Sequence, residues 1–540
     1  MIAEHAPAFD AWLDAFLASY FRRRPVNATF IGMHAFDDQL PDLSDQGMAA
    51  TLGDAEDLLR RLQHLAPEAL SSAQTLDRQM AHGFLLIQRW ELTSAHFGPS
   101  NPTLWTGEAV FGLVSLLLRP FAPLEHRLEM ATARLSAVPS FLDEAMRHVK
   151  AAPSAWIARA RRECVGAGLL LDEGLPELLD QEAGGHTALR REARAAADAF
   201  GRFDRFLEGE LPRATGEYAC GGEALDLLLR HAHFFDGGAD TLERLALERI
   251  DAEEAALEVQ APPSPPDSSQ GNSGPYLARF DELWLAARKL AQEHDLLTFP
   301  DWPVRYVERP VWARKAAPYL YFLPYRSPPP LDDNPRVDYL VPPGADDSTI
   351  KLNHVVHHGS LGHHVQNWFA ARAESRIARL AGVDCASRLA MLCGGTMAEG
   401  WANYATDLAE EAGFLTPAER YGQHTARLRM AARAVVDIRL HQGRFTLAGA
   451  TAFYRDRVGM TASAAEAEAV KNSLFPGAAC MYLAGWNGIL ELRRAIERRQ
   501  TDGFSSHAFH DRVLSFGSVP VALIAQAMLD SPAASVAAEA

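Results

Sequence analysis

The chain has 540 residues, of which 48% are hydrophobic, 22% charged and 9% aromatic, proportions that exclude disorder throughout and allow a large buried core. Lys and Arg number 52 against 69 Asp and Glu, a formal charge of −17 that repels phosphate backbones; the Arg residues are scattered beside acidic neighbours, which argues against nucleic-acid binding. Five cysteines (Cys164, Cys220, Cys385, Cys393 and Cys480) are widely spaced with no C-x-x-C pair, and read as free thiols rather than a disulfide frame or zinc cluster.

The first residues, Met1-Ile2-Ala3-Glu4-His5 followed by Asp10 and Asp14, show neither a basic start nor an apolar stretch, so the expected compartment is the cytoplasm. From there to about Gln260, apolar residues recur three and four apart, as in Asp54 to Leu65, Ala188 to Leu207 and Thr241 to Val259, and predict amphipathic helices. The most apolar run, Phe111 to Leu118, falls short of the roughly 20 residues of a spanning helix, and no membrane partner is expected. Ala261 to Pro275 holds five prolines, four serines and two glycines and predicts a surface loop. Between Pro318 and Pro343 the pattern turns aromatic and β-branched, predicting short strands at Tyr319 to Phe322 and Val337 to Val341. Helical periodicity returns near Thr349 and runs to Leu529. The expected architecture is mainly α: a large multi-helix fold with one small sheet. A helical region spans 1–260, a loop 261–275 and a chemistry-bearing region 276–540, around one continuous catalytic domain. Oligomeric state leaves no mark on the sequence.

Asn353 to Gln366 reads NHVVHHGSLGHHVQ, placing His354, His357, His358, His363 and His364 within eleven positions of a chain with 20 histidines. Imidazole is the commonest ligand of zinc and related metals, so the cluster predicts a metal site rather than a solvated helix end. His354 and His358 are four apart and His357 and His364 seven, which could put pairs on two helical faces, but Gly359 and Gly362 make a regular helix between them doubtful. A second element, MAEGWANY from Met397 to Tyr404, carries Glu399, Asn403 and Asp407 as a polar stripe among apolar neighbours. An acid there must be paired, ligating or exposed, and Glu399 becomes a candidate carboxylate ligand. A third, Arg433, Asp437 and His441 at four-residue steps, reads either as an exposed ion-pair ladder or as support for the site, with His441 a possible donor to the reacting group. Phe475 to Tyr482 (FPGAACMY) reads as a turn entering a buried helix, from which Tyr482 could reach the site.

These segments resemble the bacterial proteins of domain of unknown function 885, which are similar to gluzincin metallopeptidases and carry HExxPGHH followed by EGWAxYxE. Further pieces lie in the same order: PVNATFIGMHAFDDQLPDLS from Pro25 to Ser44, then VVDIRLHQG, PGAACMYLAG and FHDRVLSFGSVP ending at Pro520. The resemblance implies a helical metallopeptidase-like fold whose small sheet precedes the metal-site helix. It implies zinc held by His357, His363 and Glu399, and hydrolysis of peptide-like bonds beside the segment Asp338 to Val341. The sequence departs from the pattern where the family's general-base Glu is His358 and its Pro is Leu361. The Arg-Tyr before the family's PGQA-type turn is Lys471-Asn472, the Gln of that turn is Ala478, and the last acid of EGWAxYxE is Asp407 or Thr406.

A positioned base contributes about 10² to 10⁴ in rate, so losing the Glu costs roughly 3 to 5 kcal/mol of barrier unless His358 replaces it. His358 could act as base, or join the ligands in a three-His, one-carboxylate sphere suited to iron, manganese or copper as well as zinc. The residues predicted to act are thus His358, His441 and Tyr482. The predicted ligands are His357, His363 and Glu399, with His354, His364, Asn403, Asp437 and Lys471 supporting them or meeting substrate. The expected function is a zinc hydrolase of a small amide, short peptide or ester with an atypical base. The alternatives are a metal-dependent lyase, isomerase or oxygenase acting on a small molecule in biosynthesis, and an inactive binding protein on the same fold.

Overall fold

The Ala-, Leu- and Arg-rich repeats wind into helices wherever their apolar residues share a face. Helix Thr187–Gly209 buries Leu189, Ala193, Ala196, Phe200, Phe203 and Leu207, a strict three-four alternation, and each buried Leu or Phe contributes about 1.5 to 3 kcal/mol. The computed structural model describes residues 5–66, 70–96, 98–181, 185–214, 218–260, 275–320, 331, 337–381, 394–500 and 503–530. The predicted helices appear as Asp45–Gln63, started by the Ser44 side chain accepting from the Gly47 amide, and as Thr187–Gly209 and Gly238–Glu258. The apolar run falls in helix Thr103–Leu117, which is buried on every side. No helix among the described residues is long and apolar enough to cross a membrane.

One hydrophobic core gathers around helices Thr103–Leu117, Leu124–His148, Ser154–Leu169 and Thr187–Gly209. A second takes Phe9, Trp12 and Phe16 from the first helix together with Trp401, Tyr404 and Trp486 from the last third. The segment around residue 260 therefore does not divide the packing, and helix Gly238–Glu258 lies along Pro417–His441. The Pro-rich stretch is outside the described residues except Pro275, which caps helix Tyr276–Glu293.

The fold is mainly α, with two parallel two-stranded sheets among the described residues. Val337–Val341 forms as predicted, turning Val337, Tyr339 and Val341 inward. Its partner is Val304–Glu308, with Val304 beside Val337 and Arg305 bonded to Asp338 at 2.8 Å. The strand predicted at Tyr319 to Phe322 requires correction. Tyr319 and Leu320 lie in a turn, where Leu320 is buried against Gly166 of helix Ser154–Leu169, so packing on a helix takes the place of ladder pairing; residues 321–322 lie outside the described set. A second small sheet, Ala152–Pro153 with Arg213–Ala214, was not expected.

Directly after Val337–Val341, helix Asp347–Thr349 leads into Ile350–Ser360, wound as a π-helix, and the backbone leaves helical geometry at Gly359. Helix His363–Ala370 restarts after Gly362. Helix Gly395–Glu411 packs against Ile350–Ser360 on one side and Cys480–Gln500 on the other.

Candidate metal centre

The break at Gly359 to Gly362 brings the two ends of the histidine segment together. The Gly362 amide bonds the Val356 carbonyl at 3.0 Å, folding the start of the second helix back on the end of the first. A side-chain nitrogen from each of His357, His358 and His363 then lies within 4.8 Å of the others. The His357 and His363 rings stand perpendicular, with centroids 4.9 Å apart, and the His358 ring lies 4.8 Å from the first and 5.2 Å from the second.

Glu399 reaches this cluster from helix Gly395–Glu411. Its Oε2 lies 3.6 Å from His357 Nε2 and 3.7 Å from His363 Nε2. These separations are too long for hydrogen bonds. Two donors at about 2.0 to 2.1 Å from one tetrahedral ion stand about 3.4 Å apart, so the spacing fits two imidazoles and a carboxylate sharing a cation. Burial pushes the Glu399 carboxyl up, but the His357 and His363 rings and Lys471 outweigh it and hold it at about 2. Burial, with His357 beside it, lowers His363 to about 4 against the pull of Glu399. At neutral pH Glu399 is therefore an anion and His363 a neutral imidazole, the donor chemistry a divalent ion requires. The helix bearing Glu399 is fixed around it: the Trp401 indole donates to the Leu361 carbonyl at 2.9 Å, and the Asn403 amide to the Glu399 carbonyl at 2.7 Å. Asp407, two turns along, is buried with Arg427, Gln423 and the Trp486 indole, which pins it at 2.6 Å.

The other two histidines of the segment face elsewhere. His354 Nδ1 meets the Tyr339 hydroxyl at 2.6 Å, under the sheet. His364 Nε2 lies 3.1 Å from the Trp302 carbonyl, with its ring edge-on to Trp284. Burial lowers both to about 4.

Asp437 and His441 are fully buried, so the exposed ladder is excluded. The Asp437 carboxylate accepts from the Gly477 amide at 3.0 Å and the Ala479 amide at 2.9 Å, while His441 Nε2 lies 2.9 Å from the Asn472 carbonyl. His233 meets the Gly477 carbonyl at 2.8 Å and the Trp156 indole donates to Ser473 at 2.8 Å. Together these residues grip the turn before helix Cys480–Gln500, where His441 Nε2 is engaged. Burial raises Asp437 to about 7 against those amides. Asp437→Ala leaves two buried amides without an acceptor and is expected to cost about 3 kcal/mol, read as a lowered urea midpoint at unchanged slope. Lys471 ends helix Ala462–Leu474 and acts on Glu399, and Tyr482 lies under Arg433, whose Cζ is 5.2 Å from its ring centroid.

The sequence profile of the family described as bacterial protein of unknown function (DUF885) matches residues 25–528. The chain belongs to that family. A provisionally named lipoprotein of unknown function from Shewanella oneidensis matches this DUF885 chain with a TM-score of 0.74 at 19% identity, over 97% of this chain and 100% of its own. A provisionally named lipoprotein from Colwellia psychrerythraea matches with a TM-score of 0.71 at 17% identity, over 96% and 98%. Both show a shared fold. The M32 carboxypeptidase from Deinococcus radiodurans R1 aligns over 95% of this chain and 94% of its own at 12% identity, with a TM-score of only 0.38. No curated protein sequence matches. The cytoplasmic location expected from the first residues is corrected by these findings: the fold occurs in proteins described as lipoproteins, and a missing apolar stretch is no guide to where it resides.

In this DUF885 protein some residues that shape the centre carry little sequence signal. Tyr339 is an inward strand residue by alternation, yet nothing in the pattern pairs it with His354. The Tyr404 hydroxyl, 2.8 Å from His510 Nε2, ties the Glu399 helix to helix Ser506–Ser515, and His510 Nδ1 reaches the Leu296 carbonyl at 2.7 Å.

Proposed function

We propose that this protein is a metal-dependent hydrolase of a small amide, short peptide or ester, with zinc held by His357, His363 and Glu399. The observation that carries the reading is one carboxylate oxygen equidistant from two imidazole nitrogens at 3.6 and 3.7 Å. A divalent ion held there supplies Lewis acidity, polarising a carbonyl group and making water a stronger acid. Glu399 would neutralise part of the ionic charge. His358, at the place the family resemblance gives to a Glu, stands beside both ligands. Burial and the rings of His357, His363 and His354 push it well below its ordinary value, which keeps it neutral at pH 7 but makes it a weak base, so a role as proton acceptor rests on its place beside the two ligands.

A second reading is favoured by the close grouping of all three imidazoles within 4.8 Å, in which His358 is itself a ligand and the centre carries iron, manganese or copper for non-hydrolytic chemistry. Elemental analysis of protein purified without chelators, paired with His358 variants, separates the two. The hydrolase reading expects one zinc per chain in wild type and in His358→Ala. It also expects His358→Glu to raise amide hydrolysis by about 10² or more. A redox-active metal that is lost in His358→Ala removes the hydrolase reading.

A further inference from the structure

The segment 294–303, between helix Tyr276–Glu293 and strand Val304–Glu308, is tied down at both ends. At its start Asp295 takes a left-handed φ of 46°, a conformation that Asp and Asn adopt more readily than most residues. Its Oδ1 lies 2.6 Å from His507 Nδ1, on helix Ser506–Ser515. Asp511, one turn after His507, accepts from the Thr298 amide at 2.8 Å and from the Thr298 hydroxyl at 2.5 Å, and its Oδ2 lies 3.2 Å from His507 Nε2. At the far end Asp301 accepts from the Trp368 indole at 2.7 Å, and the Trp302 carbonyl faces His364 Nε2 at 3.1 Å. Trp368 and His364 both belong to the helix that begins with His363, which also packs directly on helix Ser506–Ser515.

Thr298 Oγ1 lies 3.2 Å from His507 Nε2, so hydroxyl, imidazole and the Asp295 carboxylate stand in the order of a hydrolytic triad. The protons decide against that use. The Thr298 hydroxyl gives its hydrogen to Asp511, and each ring nitrogen of His507 has a carboxylate oxygen within 3.2 Å. A ring with an acid at each nitrogen is best satisfied with both nitrogens protonated, and an imidazolium cannot serve as a base. Asp295 and Asp511 are the charged groups that face it. His510 turns to the Leu296 carbonyl and the Tyr404 hydroxyl and is lowered by burial to about 4, and Arg493, beyond Tyr404, is paired with Glu411 and Glu497. Burial pulls His507 down, but the bond to Asp295 and the charges of Asp511 and Asp295 outweigh it and hold the ring above its ordinary value. A histidine raised in this way supports the fold fully below about pH 6.5, and the support is lost as the pH rises through the raised value.

We propose that His507 is the pin of a pH-operated clasp: protonated, it ties the segment 294–303 to helix Ser506–Ser515 and so braces the helix that begins with His363, and on losing its proton it lets the brace slacken. The segment links the two events because its ends are fixed to different helices. Thr298 is held by Asp511 beside the pin, while Asp301 and the Trp302 carbonyl hold Trp368 and His364 only three and four residues further on. So short a stretch spans at most about 14 Å, and slack at one end is felt at the other. The clasp goes beyond the hydrolase reading and does not depend on it.

Hydrogen exchange of the full chain, read by mass spectrometry on peptides covering 294–303 and 363–370, tests it in wild type, His507→Gln and Asp295→Asn. Comparing the proteins at equal pH cancels the intrinsic exchange rate and the titration of the other histidines. At about pH 6 the segment 294–303 is expected to exchange about fivefold faster in His507→Gln than in wild type, and 363–370 about twofold faster; by about pH 9 both differences vanish. Asp295→Asn fits the same left-handed backbone without the charge, so its protection is expected to fall away at a lower pH than that of wild type. Equal exchange of wild type and His507→Gln at about pH 6, or a difference that persists undiminished to about pH 9, overturns the clasp. So does a wild-type pH profile in Asp295→Asn. Faster exchange of 294–303 with 363–370 unaltered overturns the brace. None of these readouts requires bound metal or turnover, so failure of the hydrolase reading leaves the test intact.

Discussion

Replacing Glu399 with alanine is expected to abolish stoichiometric zinc binding and reduce turnover to background, while the fold survives. Structural zinc sites with four donors bind with about 10 to 16 kcal/mol, or roughly 3 to 4 kcal/mol for each donor. Loss of one donor therefore weakens affinity by about 10² to 10³, and loss of the anion also removes the neutralising charge. The fold survives because the Glu399 side chain is not what anchors its helix. The Trp401 indole on the Leu361 carbonyl, the Tyr404 hydroxyl on His510 and the close glycine contact at Gly400 hold that helix in place. Without metal, the His357 and His363 rings and Lys471 still hold the Glu399 carboxyl at about 2, so its charge supports the fold at neutral pH and the metal-free variant should unfold at a slightly lower urea midpoint than metal-free wild type. Glu399→Gln keeps the shape without the charge and is expected to lose zinc as well. Elemental analysis and unfolding curves on the same preparations read both effects. A Glu399→Ala protein that still carries one zinc per chain would remove the centre as drawn.

The part of this site that could be read from residues alone is the part that depends on composition and spacing. Five histidines in eleven positions announce a cluster whatever the backbone does, and Glu399 stands out because an acid among Trp401, Tyr404 and Met397 must find a partner. The helices were legible for the same reason, since Leu189 to Leu207 keep a three-four alternation that only a helix can bury. Facing was not legible. Ile350–Ser360 is wound as a π-helix and broken at Gly359, so counting by 3.6 residues assigns no faces; His364 turns to Trp302 while its neighbour His363 turns to Glu399. Spacing left Asp437 and His441 open between a surface ladder and support for the site, because helix Pro417–His441 is buried on several sides over its second half and burial there is decided by distant helices. Val304–Glu308 escaped notice because a five-residue strand whose two charged residues, Arg305 and Glu308, stand three apart gives almost no alternation signal.

The glycine between the two ligand-bearing segments should be the least replaceable residue of the centre. A Cβ on Gly362 would sit 1.8 Å from the His357 carbonyl oxygen, 2.6 Å from its carbon and 2.8 Å from the Val356 carbonyl oxygen. All three are backbone atoms in the last turn before the break, so no side chain can swing aside to make room. That turn is also closed by the Gly362 amide on Val356, and a methyl group forces the bond open or carries His357 away from His363. Gly362→Ala is therefore expected to destabilise the protein by about 3 to 5 kcal/mol, at the upper end of single substitutions. Whatever folds should bind zinc far more weakly, because the two imidazoles lie on opposite sides of the displaced bond. Gly359→Ala is the internal comparison. Its added Cβ would stand 3.1 Å from the His354 carbonyl oxygen and the Tyr306 hydroxyl, a tight contact that a few tenths of an ångström relieve, so about 1 kcal/mol is expected with zinc retained. Urea unfolding and zinc titration of the two variants side by side measure the difference. Equal midpoints and equal zinc affinity would mean that the histidine segments do not meet through this close approach, and the arrangement of His357, His363 and Glu399 would have to be redrawn.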